Sequence, residues 1–331
     1  MRFYIRYPLR LAILFMLVML SGCFSSERKP LNRQLHALDG EYAANISDDA
    51  HYAIVSSIHN GISLWDLTKD ARKYTWYQQQ NNSDNLVLAA VIANDNKYAL
   101  TASRFNFALW NISTGHNDGY WKVRNSNIRD IALSNDGQYI LIGKSNGVVV
   151  HITLATGRRL EFLGHKEKVN SVAMLPNGRV AMSGGNDFVA LVWDTKSGQV
   201  IYRFNHPSRV TKVALDPLGR YAFSADSKKM AVIWDLRTGK KISALHYINR
   251  QEVFTSVKFS ADGKQLLTGA PSSKVSIWDI ATGKRVDTWR VTSKDNFRPS
   301  GSVVYSAAFT NNNTVITESS AGYAETWPIK P

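Results

Sequence analysis

An apolar-apolar-Trp-Asp string followed by a turn recurs along this chain: SLWDL at 63–67, ALWNISTG at 108–115, LVWDTKSG at 191–198, VIWDLRTG at 232–239 and SIWDIATG at 276–283. Self-similarity at a fixed period constrains architecture more than any local propensity, because each copy must be one supersecondary unit that buries its apolar faces against its neighbours. The Trp positions are Trp65, Trp110, Trp193, Trp234, Trp278 and Trp327, and a degenerate copy, VHITLATG, places Ile152 in the Trp slot between Trp110 and Trp193. Successive steps are 45, 42, 41, 41, 44 and 49 residues. A four-stranded propeller blade takes about 40–45 residues, so the chain counts to seven blades.

A second marker supports the count independently of the Trp. Short alternating strands enter and leave a turn in IALSNDGQYIL (131–141), VAMLPNGRVAM (172–182), VALDPLGRYAF (213–223) and VKFSADGKQLL (257–267). The turn glycines Gly137, Gly178, Gly219 and Gly263 step by 41, 41 and 44, and glycine there supplies the positive φ of a tight hairpin. Blades 1, 2 and 7 carry Ser47-Asp48-Asp49, Asn94-Asp95-Asn96 and Asn311-Asn312-Asn313 instead; Asn and Asp tolerate left-handed backbone.

From 31 to the C-terminus these motifs resemble the WD40-repeat family. The resemblance implies an all-β fold, a seven-bladed propeller. Blade 4 matches best: Gly164-His165, Ser183, Asp187 and Trp193-Asp194 are similar to the family's hydrogen-bond relay, which implies that His165, Ser183, Asp187 and Trp193 are linked. Blade 5 has His206, Ser224 and Trp234 but Lys228 in the Asp position, and blade 6 has His246, Thr268 and Trp278 with Ser272 there. Those blades are expected to lean on apolar packing. A further strand follows each earlier Trp, yet only four residues follow Trp327. The stretch 31–38 therefore is expected to supply the outer strand of the last blade, so that the ring closes without an open edge.

Ahead of the propeller, Arg2, Arg6 and Arg10 precede an unbroken apolar run from Leu11 to Leu20, and Leu20-Ser21-Gly22-Cys23 follows at once. This is the pattern of a secretion signal. Ten apolar residues make only ~15 Å of helix, about half of a bilayer core. The Leu-Ser-Gly-Cys string resembles the bacterial lipobox, which implies cleavage before Cys23 and lipidation of that residue, the sole cysteine of the chain. By similarity to enterobacterial sorting, Phe24 rather than Asp after Cys23 implies an outer-membrane anchor with the ring on the periplasmic side. The expected division is a signal peptide at 1–22, a lipidated tether at 23–30 and the propeller at 31–331.

The formal charge is +14; losing the three leader arginines leaves +11, a balance that favours anionic partners. The turns between second and third strands carry Arg104, Lys144, Lys228, Lys229 and Lys274. In the resembled family these turns share one face. Asp48, Asp49, Asp95, Asp136, Asp216 and Asp262 are expected on the other. Phe105 and Phe188 lie in the same set of turns and read equally as interface anchors or as packing between neighbouring blades, whereas Phe107 and Tyr323 read as core. No catalytic constellation emerges. The eight histidines lack metal-ligand spacing, there is no glycine-rich phosphate loop, and no Ser sits in a nucleophile elbow. The expectation is a non-enzymatic scaffold without metal or cofactor, binding protein partners in the cell envelope, attached to membrane by its N-terminal lipid and not engaging nucleic acid. Alternatives are a binder of anionic envelope polymer or lipid headgroup, and a propeller enzyme with a site in its channel.

Overall fold

The computed structural model describes residues 28–78, 86–247, 253–293 and 301–330. Seven antiparallel four-stranded sheets form the ring, each running in chain order from the inner to the outer strand except the last. Blade 4 shows why the sequence yields this layering. Its strands are Val169–Met174, Val180–Gly185, Val189–Asp194 and Val200–Asn205. The second and third are almost entirely buried, while the outer strand is mostly exposed. Strands covered on both faces read as continuous apolar runs, and here the covers are the neighbouring blades.

Blades approach closely because small residues stand where second strands meet the next inner strand. A Cβ on Gly184 would lie 2.4 Å from Val210 Cγ1 of blade 5, and one on Gly143 would lie 2.8 Å from Val172 Cγ1 of blade 4. Polar straps join inner strands around the axis. The Ile92 amide donates to Asn45 Oδ1 at 3.0 Å, Val172 N to Asp130 Oδ2 at 3.0 Å, Val213 N to Ser171 Oγ at 3.3 Å, Ala307 N to Ser256 Oγ at 3.2 Å and Ile46 N to Ser306 Oγ at 3.0 Å.

The Trp repeat has a structural reason. Each Trp meets a ring at the outer edge of the preceding blade: Trp110 stacks on Trp76 at 4.9 Å between centroids, Trp193 on Phe162 at 4.2 Å and Trp234 on Phe204 at 4.0 Å. Trp278 meets Tyr247 edge-on at 6.3 Å, and Trp327 lies tilted against Trp289 at 6.1 Å. Such pairs add ~0.5–1.5 kcal/mol beyond burial. At the closing joint a histidine takes the aromatic place, with His36 stacked on Trp65 at 4.0 Å and 8°.

Closure follows the expected scheme. Asn32–Leu35 pairs antiparallel with Tyr323–Pro328 and completes the seventh sheet, with Asn32 opposite Thr326 and Leu35 opposite Tyr323. The His36 and Ala37 amides both donate to the Gly322 carbonyl, at 2.9 and 3.1 Å. Gly322 has φ +85°, and a Cβ there would sit 1.9 Å from the Ala37 oxygen, so this turn admits only glycine. The ring also holds Arg28, three residues ahead of the expected boundary. Its guanidinium pairs with Asp287 at 2.8 Å and lies over Trp289. The leader 1–22, Cys23 and the tether as far as residue 27 lie outside the described residues.

On the face holding the turns between first and second strands, the acidic residues bind one another's neighbours. Asn96 Nδ2 donates to Asp49 Oδ2 at 2.6 Å, the Asp136 amide to Asp95 Oδ2 at 3.1 Å, and Arg220 Nε to Asp216 Oδ2 at 2.6 Å. The first two carboxylates tie adjacent turns together, and Asp216 orients Arg220, whose Nη1 donates to the Ala261 carbonyl of the next turn at 3.1 Å.

Candidate functional site

In blade 4, His165 lies between Asp187 and Ser183. Its Nδ1 is 3.0 Å from Asp187 Oδ1 and its Nε2 is 2.8 Å from Ser183 Oγ. The partners fix the tautomer: Nδ1–H donates to the carboxylate, and Nε2 accepts from the serine hydroxyl. Asp187 also accepts from the Lys166 amide at 3.1 Å. Burial pushes the Asp187 carboxyl up, but the interaction with His165 together with the backbone donors outweighs it and holds it below the ordinary range. Trp193 departs from the expected relay. It is fully buried and packs flat on Phe162, but its Nε1 has no hydrogen-bond partner. Asp187→Ala strands the His165 donor in the interior and is expected to lower unfolding free energy by ~1–3 kcal/mol, read from urea melts. Trp193→Phe breaks no hydrogen bond, so its loss comes from packing alone.

Blade 5 corrects the expectation of a relay lost at Lys228. Ser224 Oγ is 2.9 Å from His206 Nε2 and accepts from Trp234 Nε1 at 2.9 Å. The acid facing His206 is Asp226, fully buried and 3.7 Å from Nδ1. It ends the second strand, two residues before the position where the spacing placed it. In blade 6, His246 is exposed, and Trp278 Nε1 donates to Thr268 Oγ1 at 2.9 Å without it. Blade 7 has an acid and a histidine that sequence reasoning missed: His36 Nδ1 meets Glu318 Oε1 at 2.8 Å with both side chains fully buried. Glu41 is buried beside them, and burial followed by the Glu318 charge pushes its carboxyl well above the ordinary range.

Antiparallel blades place the turns between second and third strands on one face, together with the connections into the next inner strand. On this rim Arg104, Phe105, Phe188, Lys228 and Lys229 are exposed. Lys144 is a correction: it ends the strand Tyr139–Lys144 and is buried at 7% exposure, so it offers no rim charge. Lys274 opens the strand Lys274–Asp279 and is half-buried. Sequence reading missed the apolar part of this face, Ile58, Leu88 and Leu163, which are 55%, 47% and 73% exposed. They flank strands in connections, and their exposure breaks the polar pattern usual for loops. Phe107 is core, at 2% exposure, and Tyr323 is half-buried at the latch.

Phe188 carries a further mark. Its φ is +68° and its ring is 51% exposed. A bulky residue in left-handed backbone costs ~1–2 kcal/mol, and this one recovers little of that through burial.

The axis of the ring is a polar channel. Its rim-side cavity, about 320 Å³, is lined by Arg129, Asp130, Lys212, Tyr305 and Ser306 among others, and Lys258 reaches it from below. A second cavity of about 200 Å³ continues toward the acidic turns and shares Asp130, Lys212 and Lys258. Among the described residues, no three His, Cys, Asp or Glu side chains are grouped so as to hold a metal ion.

The family model described as WD domain, G-beta repeat matches the chain at 157–194, 198–235 and 245–279. Each match ends on the third strand of a blade, and the first two begin at the outer strand of the blade before it. The unit of sequence is thus offset from the unit of structure, the same offset that leaves the last blade to be finished by the latch. No curated protein matches the chain. The repeats, their offset and the closed ring together make the chain a seven-bladed β-propeller in which WD40 repeats are matched at three places between 157 and 279.

Proposed function

We propose that this chain is a lipid-anchored, periplasm-facing protein of the bacterial outer membrane whose propeller serves as a non-catalytic platform for protein partners, bound at the rim. The observation that carries the rim assignment is Phe188. Left-handed backbone holds its aromatic ring in solvent, and strained positions of this kind cluster at functional sites. Arg104, Lys228 and Lys229 surround the face with positive charge, and Phe105, Ile58 and Leu163 give it apolar contact area. Exposed aromatic residues among cations are the composition of an interface centre, and WD40 propellers commonly mediate protein–protein contacts. The anchor rests on the leader and on Leu20-Ser21-Gly22-Cys23.

Crosslinking in intact cells tests the proposal, with Cys23→Ser expected to block acylation and processing of the leader, read from the mass of the protein. Phe188→Gly is expected to raise stability by up to ~1 kcal/mol, because glycine adopts this φ without strain, and yet to cut partner capture severalfold. Reversing Arg104, Lys228 and Lys229 together should abolish capture with little change in melting, since exposed charges add little to stability. Capture that persists in high salt speaks for a protein partner, whereas release by salt speaks for an anionic polymer. If both rim variants capture like wild type, the rim is not the binding face.

A further inference from the structure

We infer that the central channel binds a compact polyanion, a small molecule with two or more carboxylate or phosphate groups, and that Lys212 is its main anchor. Four of the seven inner strands carry a strap residue at one position in register, where blades 1 and 2 have Ala43 and Ala89. It is Asp130 opposite Gly143 in blade 3, Ser171 opposite Gly184 in blade 4, Ser256 opposite Gly269 in blade 6 and Ser306 opposite Glu318 in blade 7. Each accepts a backbone amide from the following blade. In blade 5 the same position, opposite Ala225, is Lys212. An ammonium has no lone pair and accepts nothing. Blade 5 therefore gives up its strap and places a cation in the channel instead.

The charges around Lys212 are unbalanced. Lys212 is half-buried and lines both cavities, yet it forms no ion pair among the described residues. Arg129, exposed at the rim-side mouth, forms none either. Lys258 sits toward the far end, its Nζ held by Asp48 Oδ1 at 2.6 Å and by the Ile46 carbonyl. The single carboxylate lining the rim-side cavity is already used: Asp130 Oδ1 accepts from the Ile131 amide at 3.0 Å, and Oδ2 accepts from Ser171 Oγ at 2.9 Å and Val172 N at 3.0 Å. With Lys258 matched by Asp48, Arg129 and Lys212 thus face one occupied anion. The hydroxyl groups of Tyr305 and Ser306 add neutral donors on the same wall. A partly desolvated ammonium without a counter-charge is costly, and an entering anion removes that cost. The volume of about 320 Å³ is at the lower end for ligand pockets and selects a compact molecule over a polymer. This inference does not depend on the rim proposal.

Citrate and pyrophosphate are suitable probes, tested on the full chain at constant ionic strength by thermal melting and titration calorimetry. Wild type is expected to bind one anion per ring and to melt a few degrees higher when it is bound. Lys212→Ser restores the strap hydroxyl. It is expected to melt no lower than wild type without ligand and to lose at least ~10-fold in affinity, as removal of a charge-assisted contact implies. Lys212→Met keeps the length without the charge and serves if the Ser variant does not fold. Lys264→Ser, on the opposite face, removes the same charge and should bind normally. Absence of binding to wild type, or equal binding after loss of the Lys212 charge, overturns the inference.

Discussion

Deleting residues 31–38 is expected to abolish the cooperative melting of the ring at physiological temperature. The deletion strips three layers at once. The edge of Tyr323–Pro328 loses a paired strand, at ~1 kcal/mol for each hydrogen bond. Glu318 loses His36, and Glu325 loses Arg33, whose Nε lies 2.9 Å from it. Both carboxylates are fully buried, and stranding a buried charge costs ~3–5 kcal/mol. The stack of His36 on Trp65 goes as well. The total is of the same order as the ~5–15 kcal/mol by which a whole domain is stable. Circular dichroism melts of the full chain and the deletion decide the matter. His36→Phe refines it: the stack survives, Glu318 is left alone, and an intermediate melting temperature is expected. A truncated ring that melts with the full chain would show that closure is ornamental.

Acidification from pH 7 to pH 5 is expected to weaken the fold, chiefly through His151. This residue lies buried in blade 3, its ring stacked on Tyr139 at 5.5 Å, with no side-chain partner and with the Gly178 backbone too poorly placed to offset its burial. Burial, and then the Arg158 charge, hold its pKa at about 4. An unfolded histidine titrates near 6.5. Between those values the unfolded chain takes up a proton that the folded chain refuses, so stability falls as pH falls through that window. The full span corresponds to ~3 kcal/mol. His206 adds in the same sense: its burial lowers its pKa more than Asp226 raises it. Glu41 acts oppositely, because its raised pKa makes stability decline as pH climbs above the ordinary carboxyl range. Urea unfolding at pH 7.5 and pH 5 measures the net slope, and His151→Phe should flatten most of the acid side. An unchanged slope in that variant would place the loss elsewhere.

The ring was legible because its period has a mechanical cause. All joints but the one holding Ile152 set a Trp of the third strand against a ring of the preceding blade, and that packing writes Trp into the sequence at blade spacing. The latch was legible for a related reason, a missing outer strand at one end and a spare strand-length segment at the other. What failed were assignments that depended on one or two residues of offset. A slip of one residue moves a side chain to the opposite face of a strand. Lys144 was read into a turn when it ends a buried strand. The acid facing His206 was sought at Lys228 but stands at Asp226, and beside Trp278 the ring is Tyr247 rather than His246. Lys212 carried no signal at all in a linear reading. A lysine in a short strand is ordinary, and its meaning emerges only once the register sets it beside Asp130, Ser171, Ser256 and Ser306.

The latch also sets an order in time. Blades 1 to 6 are made of neighbours in sequence and can form as the chain emerges, but Asn32 has to wait for Thr326. Closing so long a loop adds little to its entropic cost, yet it is slow, as contacts distant in sequence are. Until it happens, the Tyr323–Pro328 strand presents an open edge to whatever strand arrives first. In a crowded solution that strand can be residues 32–35 of a second copy, for which the pairing is identical. Ring completion is therefore the one step of assembly that another molecule can perform in place of the chain itself.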